Sequence, residues 1–176
     1  MPKRSKEQKS KDEKKILIEL QKNAYEKVNI IAKHCGFSRQ KAMRTIKQLE
    51  KDKTIWGYTA IIDNDKIGQK QFTLLIKRTN KPLEKKIIDK IDSIQLEDIA
   101  APHGFTIVSS CFMHGNYDWM ISFTARDITH ARKFCDLLVN GFPGAIEKID
   151  IQQILYCVRK QHIFNPQRKK LRELME

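Results

Sequence analysis

The chemistry most plainly written into this 176-residue chain is hydrogen-bond donation from an acid-free basic segment. Between Ser38 and Leu49 there is no Asp or Glu, although the chain holds 21 of them. On a helical wheel of 100° per residue, Ala42, Ile46 and Leu49 share one face. Gln40, Arg44, Lys47 and Lys51 fall about 140–200° from Ala42, on the opposite face. Guanidinium, ammonium and carboxamide donors presented in this way suit phosphate oxygens and base edges in a major groove. A carboxylate among them would repel a polyanion. The expected DNA-contacting set is therefore Ser38, Arg39, Gln40, Lys41, Arg44, Lys47 and Lys51.

Such a face is useful only if a scaffold presents it. Ser38 is suited to cap the basic helix, and Gly36 fits just past the end of a shorter helix over Val28–His34, where left-handed backbone is required. Ile30, Ile31 and Ala32 are that helix's expected buried positions. Upstream, Ser10 and Glu13 form an S-x-x-E capping box for a helix over Lys11–Lys22, with Ile16, Leu17 and Leu20 on one side. Three helices, the last two separated by "CGFS", make a helix-turn-helix over 12–56. Ile55, Tyr58 and Ala60–Ile62 then read as a strand broken at Gly57, a minimal wing or a connector over 57–68.

The charge is segregated. Residues 1–56 hold 16 Lys or Arg against 7 Asp or Glu, a net +9; residues 57–158 are balanced; residues 159–176 hold six against two, a net +4. Charge confined to one module implies a polyanionic partner for that module, nucleic acid first and an anionic membrane surface second. The leader 1–11 is expected to be disordered and to touch phosphates. No apolar run approaches the roughly 20 residues of a membrane span, and the N-terminus lacks the apolar stretch of a secretory signal; a cytoplasmic, nucleoid-associated protein is expected. Cys35, Cys111, Cys135 and Cys157 form no CxxC and read as buried reduced thiols. Cys111 and His114, three apart on a strand, would face opposite ways. No metal, cofactor or catalytic set is expected: there is no GxGxxG, P-loop or nucleophile–base motif.

The neutral middle changes period. Residues 71–79 read as a strand, and Leu83, Ile87, Ile91 and Ile94 recur at helical spacing after Pro82. Residues 105–114 and the segment "YDWMISFTA" read as a hairpin around "GNYD". A helix after Asp127 points Ile128, Ala131, Cys135 and Leu138 inward, and 146–160 is the last strand. The order βαββαβ over 69–160 is a ferredoxin-like sandwich, so the fold class is α+β. Apolar residues on both sides of strands such as Leu155 to Val158 call for a cover on the second sheet face, and another copy of the chain is the economical one. Residues 161–176 form a basic tail, expected to be a solvated terminus, with a short basic helix that adds DNA contacts as the alternative.

A helix-turn-helix followed by this βαββαβ domain resembles the Lrp/AsnC (feast/famine) family of prokaryotic transcriptional regulators. Three stretches carry the resemblance over about residues 12 to 160. "DEKKILIELQKNA" looks like the family's "D-x-x-I-L-x-x-L-Q-x-(D/N)-(A/G)". "IAKHCGFSRQKAMRTIKQLEKDKTIWGYTAIID" is similar to "(I/L)-A-x-x-x-G-(L/F)-S-x-x-x-(V/A)-x-x-R-I-x-x-L-E-x-x-G-x-I-x-G-Y-x-(A/V)". "HGNYDWMISFTARD" resembles the "G-x-Y-D" hairpin.

The resemblance implies a DNA-binding regulator that dimerises through the C-terminal sheets, builds tetramers or octamers, and presents two recognition helices to pseudo-palindromic duplex DNA. It also implies an amino-acid or related effector at the hairpin, carried here by Gly115, Asn116, Tyr117 and Asp118. Asp118 would pair an amino group and the turn amides would take a carboxylate; alternatively Gly115 and Asn116 simply make the turn. The chain departs from the pattern at Lys27, where a capping residue is usual, at Lys53, where Gly is usual, and at Thr45, Lys47 and Asn116. "AAPHGF", with His103, is longer than usual, and the tail from Asn165 passes the usual end. Two rival readings remain on the same fold: a nucleoid-architectural protein, and an enzyme similar to sirohaem decarboxylases, for which His103, His114, His130, Arg126 and Arg132 would supply the groups.

Overall fold

In a computed structural model the described residues are 6–93 and 96–176, and they fall into two compact units: the chain through Ile61 together with Cys157–Glu176, and Ile62–Tyr156. The expectations for residues 1–5 of the leader and for Ile94 lie outside the described residues.

The first unit holds three helices, α1 (Lys6–Lys22), α2 (Val28–Cys35) and α3 (Arg39–Lys51). Its core is Ile16, Leu20, Ile31, Ala32, Cys35, Ala42 and Leu49, with Leu17, Val28, Phe37, Ile46 and Ile55 packed against it. Ile30, expected inside, is exposed.

Within the described residues α1 already includes Lys6, so Ser10 lies inside the helix rather than capping it, and 6–11 is helix rather than disordered leader. The physical reason is a ladder of i,i+4 contacts: Lys11 to Glu7 at 2.8 Å, Lys9 to Glu13 at 3.5 Å, and the Gln8 amide donating to Asp12 at 3.0 Å. Each such pair adds a few tenths of a kcal/mol to a segment already rich in helix formers.

Gly36 sits at φ 69°, and Phe37 N donates to Ala32 O at 2.8 Å across it, which ends α2 abruptly. Ser38 Oγ accepts from Lys41 N at 3.2 Å and starts α3. Lys27 offers α2 no side-chain cap. The expected strand through Ile55, Tyr58 and Ala60–Ile62 is absent: this stretch carries no strand and has no ladder partner among the described residues.

The second unit is a four-stranded antiparallel sheet of β1 (Lys70–Arg78), β2 (Thr106–Phe112), β3 (Trp119–Ala125) and β4 (Ile146–Ile154), in the order β2-β3-β1-β4. Helices α4 (Lys85–Asp92), α5 (Leu96–Ala100) and α6 (Ile128–Gly141) complete the ferredoxin-like βαββαβ arrangement. Phe72, Leu74 and Ile76 from β1 and Trp119, Ile121 and Phe123 from β3 are buried with Ala131, Phe134 and Leu138 of α6. Ile128, expected inward, is exposed at the first position of α6. Alternation sends Thr73, Leu75, Met120, Ser122 and Thr124 to the other sheet face, where the Gln71 amide donates to Ser122 Oγ at 3.0 Å. With Gln71, Thr73, Ser122 and Thr124 on it, that face is more polar than the expected apolar one.

The last strand stops at Ile154, not at residue 160. Ile154 pairs with Gln71, and β1 begins one residue earlier, so the ladder has no partner beyond it. The chain continues as a short hairpin, β5 (Arg159–Lys160) and β6 (Ile163–Phe164), and a final helix α7 (Lys169–Met175).

Candidate functional site

Helix α3 presents Arg39, Gln40, Arg44, Lys47 and Lys51 to solvent while Ala42 and Leu49 are buried beneath them. Among the described residues, none of Arg39, Arg44, Lys47 and Lys51 forms an ion pair. Their donors are open to an incoming polyanion. Lys41 is different. Its ammonium lies 2.7 Å from Asp12 Oδ2 and 3.5 Å from the centroid of the Phe37 ring. Asp12 is 5% exposed, so the pair fastens α1 to α3 and removes Lys41 from the open face. Lys41, expected among the DNA contacts, turns its side chain to the core edge instead, because a buried carboxylate requires a countercharge. Ser38 is accessible, with its hydroxyl oxygen engaged by the helix N-terminus.

The far end of α3 closes on Lys53, which takes φ 57° where the resembling pattern has Gly. Thr54 N and Ile55 N both donate to Leu49 O, at 2.9 and 3.1 Å. Tyr58 then folds back, its hydroxyl donating to Glu50 Oε1 at 2.9 Å. Partial burial and the Glu50 carboxylate push the Tyr58 phenol up to about 12.

In the second unit, residues 113–118 connect β2 to β3. Gly115 takes φ 147°, a conformation few other residues adopt. Asp118 is committed to the fold: its Oδ2 accepts from Arg78 N at 2.8 Å, its N–H donates to Ile76 O at 2.9 Å, and its carbonyl accepts from Met113 N at 2.8 Å. It bridges an irregular step in the β1–β4 register between Lys77 and Arg78.

Tyr117 donates its hydroxyl to Asp150 Oδ2, which also meets Lys148 Nζ at 2.8 Å. The Asp150 carboxylate holds the Tyr117 phenol above its usual range; Lys148, then Tyr117, hold the Asp150 carboxyl below its own. Asn116 is exposed, and its side chain has no hydrogen-bond partner among the described residues. A cleft of about 360 Å³, lined by Arg78, Leu83, Ile88, Ile91 and Phe112, opens beside Arg78. Asp150, Lys148 and Arg78 were not singled out in the sequence; their proximity to the hairpin depends on strand register.

His130 lies against the backbone of His103 and Arg126. His130 is buried and fully engaged: its Nε2 meets His103 O at 2.9 Å, its Nδ1 accepts from Arg126 N at 3.3 Å, and its ring stacks on Phe105 with centroids 4.3 Å apart. That is the work of a core residue supporting the "AAPHGF" turn. His103 and His114 are exposed. Of the four cysteines, Cys35 is buried and Cys135 and Cys157 half-buried, whereas Cys111 is exposed, against expectation. No group of three or more His, Cys, Asp or Glu among the described residues could hold a metal ion. No helix among them is long and apolar enough to cross a membrane.

Neither a protein-family model nor a curated protein sequence matches the chain. Solved structures do. The crystal structure of PH0061 is 21% identical with TM-score 0.68, the match covering 93% of this chain and 100% of that one. An AsnC family transcriptional regulator from Agrobacterium tumefaciens is 19% identical with TM-score 0.64, covering 88% and 95%. The transcriptional regulator NMB0573 of Neisseria meningitidis, in a complex with L-Met, is 15% identical with TM-score 0.66, covering 95% and 99%. The chain thus has the fold of AsnC/Lrp-type transcriptional regulators along nearly its full length.

Proposed function

We propose that this chain is a DNA-binding transcriptional regulator of the Lrp/AsnC type. It binds pseudo-palindromic duplex DNA as a dimer or higher oligomer, with α3 as the recognition helix. One observation carries the reading: the outward face of α3 holds Arg44, Lys47 and Lys51 without a single carboxylate partner among the described residues. Arg44 reads a base edge, Gln40 assists it, and Arg39, Lys47 and Lys51 hold phosphates. An outward face whose cations have no carboxylate partner also speeds encounter with a polyanion. The shared fold with transcriptional regulators supports the same reading.

The effector in this reading is an amino acid or related metabolite at the 113–118 hairpin. Asn116 and the turn amides receive its carboxylate, while the side chain finds apolar surface in the cleft at Leu83, Ile88, Ile91 and Phe112. The NMB0573 complex with L-Met makes this class of ligand reasonable.

Selection of bound duplexes from a random pool tests the function. A two-fold symmetric motif with a spacing of about one helical turn between half-sites is expected. A pool retained without any enriched sequence would mark an architectural DNA binder instead.

A further inference from the structure

The last eighteen residues carry a net +4, and they are folded. Arg159 pairs with Phe164 and Lys160 with Ile163 across the β5–β6 hairpin, which turns through Gln161 at φ 51°. Asn165 ties the hairpin down: its N–H donates to Val158 O and its amide to Cys157 O, both at 3.0 Å, and its Oδ1 accepts from Gln167 N at 2.8 Å. The guanidinium carbon of Arg159 lies 3.9 Å from the Phe164 ring centroid, and that of Arg168 lies 5.9 Å from the same ring.

Stacking matters because an arginine laid on an aromatic face keeps its in-plane N–H donors for another acceptor. It also loses less conformational freedom when a ligand arrives. Among the described residues, Arg159, Lys160, Arg168, Lys169 and Arg172 form no ion pair. All but half-buried Lys160 are exposed. A basic terminus that merely kept the chain soluble would need neither the Asn165 clasp nor the arginine–phenylalanine stack. The hairpin and α7 belong to the same compact unit as α3.

We propose that residues 159–172 form a second phosphate-binding element that grips double-stranded DNA through its backbone, independently of sequence, in addition to the contacts of α3. The inference rests on the DNA-binding reading above. Arg159 and Arg168 act as positioned forks on phosphate oxygens, and Lys169 and Arg172 as further phosphate contacts on α7.

The test uses the full-length chain and a fluorescent mixed-sequence duplex, with affinity followed across salt concentrations. Each phosphate contact contributes a slope of about 0.9 in log affinity against log salt. The variant Arg159→Gln, Arg168→Gln, Lys169→Gln, Arg172→Gln is expected to lose about 2–4 of that slope, equally on all duplexes, with an unchanged circular dichroism spectrum. A charge-matched control, Lys81→Gln, Lys85→Gln, Lys86→Gln, Lys133→Gln, is expected to keep the wild-type slope. Wild-type behaviour of the tail variant, or equal losses in both variants, overturns the inference while leaving α3 as the reader. Loss of binding to phosphatidylserine vesicles with duplex binding intact also overturns it, reassigning the surface to membrane. A wild-type chain that ignores duplexes at low salt instead overturns the DNA-binding reading, and this inference with it.

Discussion

The ammonium of Lys41 lies 2.7 Å from a carboxylate oxygen of Asp12, twenty-nine positions earlier in the chain, and the two side chains are 17% and 8% exposed. This pair joins α1 to α3 on the side away from the open basic face. Breaking it strands a charge. Asp12→Asn is expected to destabilise the protein by about 1–3 kcal/mol, less than a wholly buried pair because Lys41 keeps some solvent. Replacing both partners, Asp12→Asn with Lys41→Met, is expected to recover part of the loss. Thermal denaturation of the two variants checks this. Lys41→Gln should leave the salt slope of DNA binding near wild type, whereas Lys47→Gln should lower it by about 0.9.

Lys53 ends α3 in left-handed backbone, a conformation that costs a residue with a Cβ about 1–2 kcal/mol. Glycine escapes that cost and gives back part of the gain through its greater freedom in the unfolded chain. Lys53→Gly is therefore expected to raise stability by about 0.5–1 kcal/mol, measured by urea unfolding. A loss of stability would mean that the Lys53 side chain holds this end of the helix in some other way.

These two residues mark where sequence was readable and where it was not. The turn between α2 and α3 was legible because its signals are local: Gly36 needs positive φ and Ser38 needs only the amide three residues on. The βαββαβ order of elements was legible because the hydrophobic period changes between strand and helix along 70–154. The Asp12–Lys41 pair was not, since nothing within a helical turn of either residue announces the other, and Lys41 sits beside true surface cations. The same holds for Asp118, whose carboxylate serves an amide forty residues away, and for Asn165, which folds a tail that composition alone describes as solvated. Helix α1 includes residues 6–11 because charge pairing there outweighs the capping box at Ser10.

Asp118 and Asn116 should separate structure from binding at the hairpin. Asp118→Ala leaves Arg78 N without its acceptor and is expected to cost about 1–2 kcal/mol in a melting experiment. Asn116→Ala is expected to melt like wild type and to abolish any amino-acid-induced change in oligomer size, followed by light scattering with and without a panel of amino acids. If Asn116→Ala responds to amino acids as wild type does, the effector binds elsewhere.

The α1–α2 corner contributes to the acid limb of stability. Lys22, at 2.5 Å, and His34, at 2.7 Å, flank the Glu19 carboxylate and hold it below its ordinary value of 4.5. A carboxyl lowered in the folded state adds stability above its unfolded pKa, and that stability disappears as pH falls through the folded value. The melting temperature should therefore drop below about pH 4.5 in wild type, and the drop should be shallower in Glu19→Gln. Parallel acid limbs for the two proteins would contradict this role.

Arg44 carries the central claim. Anisotropy titration of wild type and Arg44→Ala on a duplex recovered by selection measures it most directly. Loss of the arginine fork is expected to weaken that complex by about 1–3 kcal/mol and to relax preference at one base pair in each half-site. Affinity and selectivity both equal to wild type would show that the outward face of α3 does not read DNA.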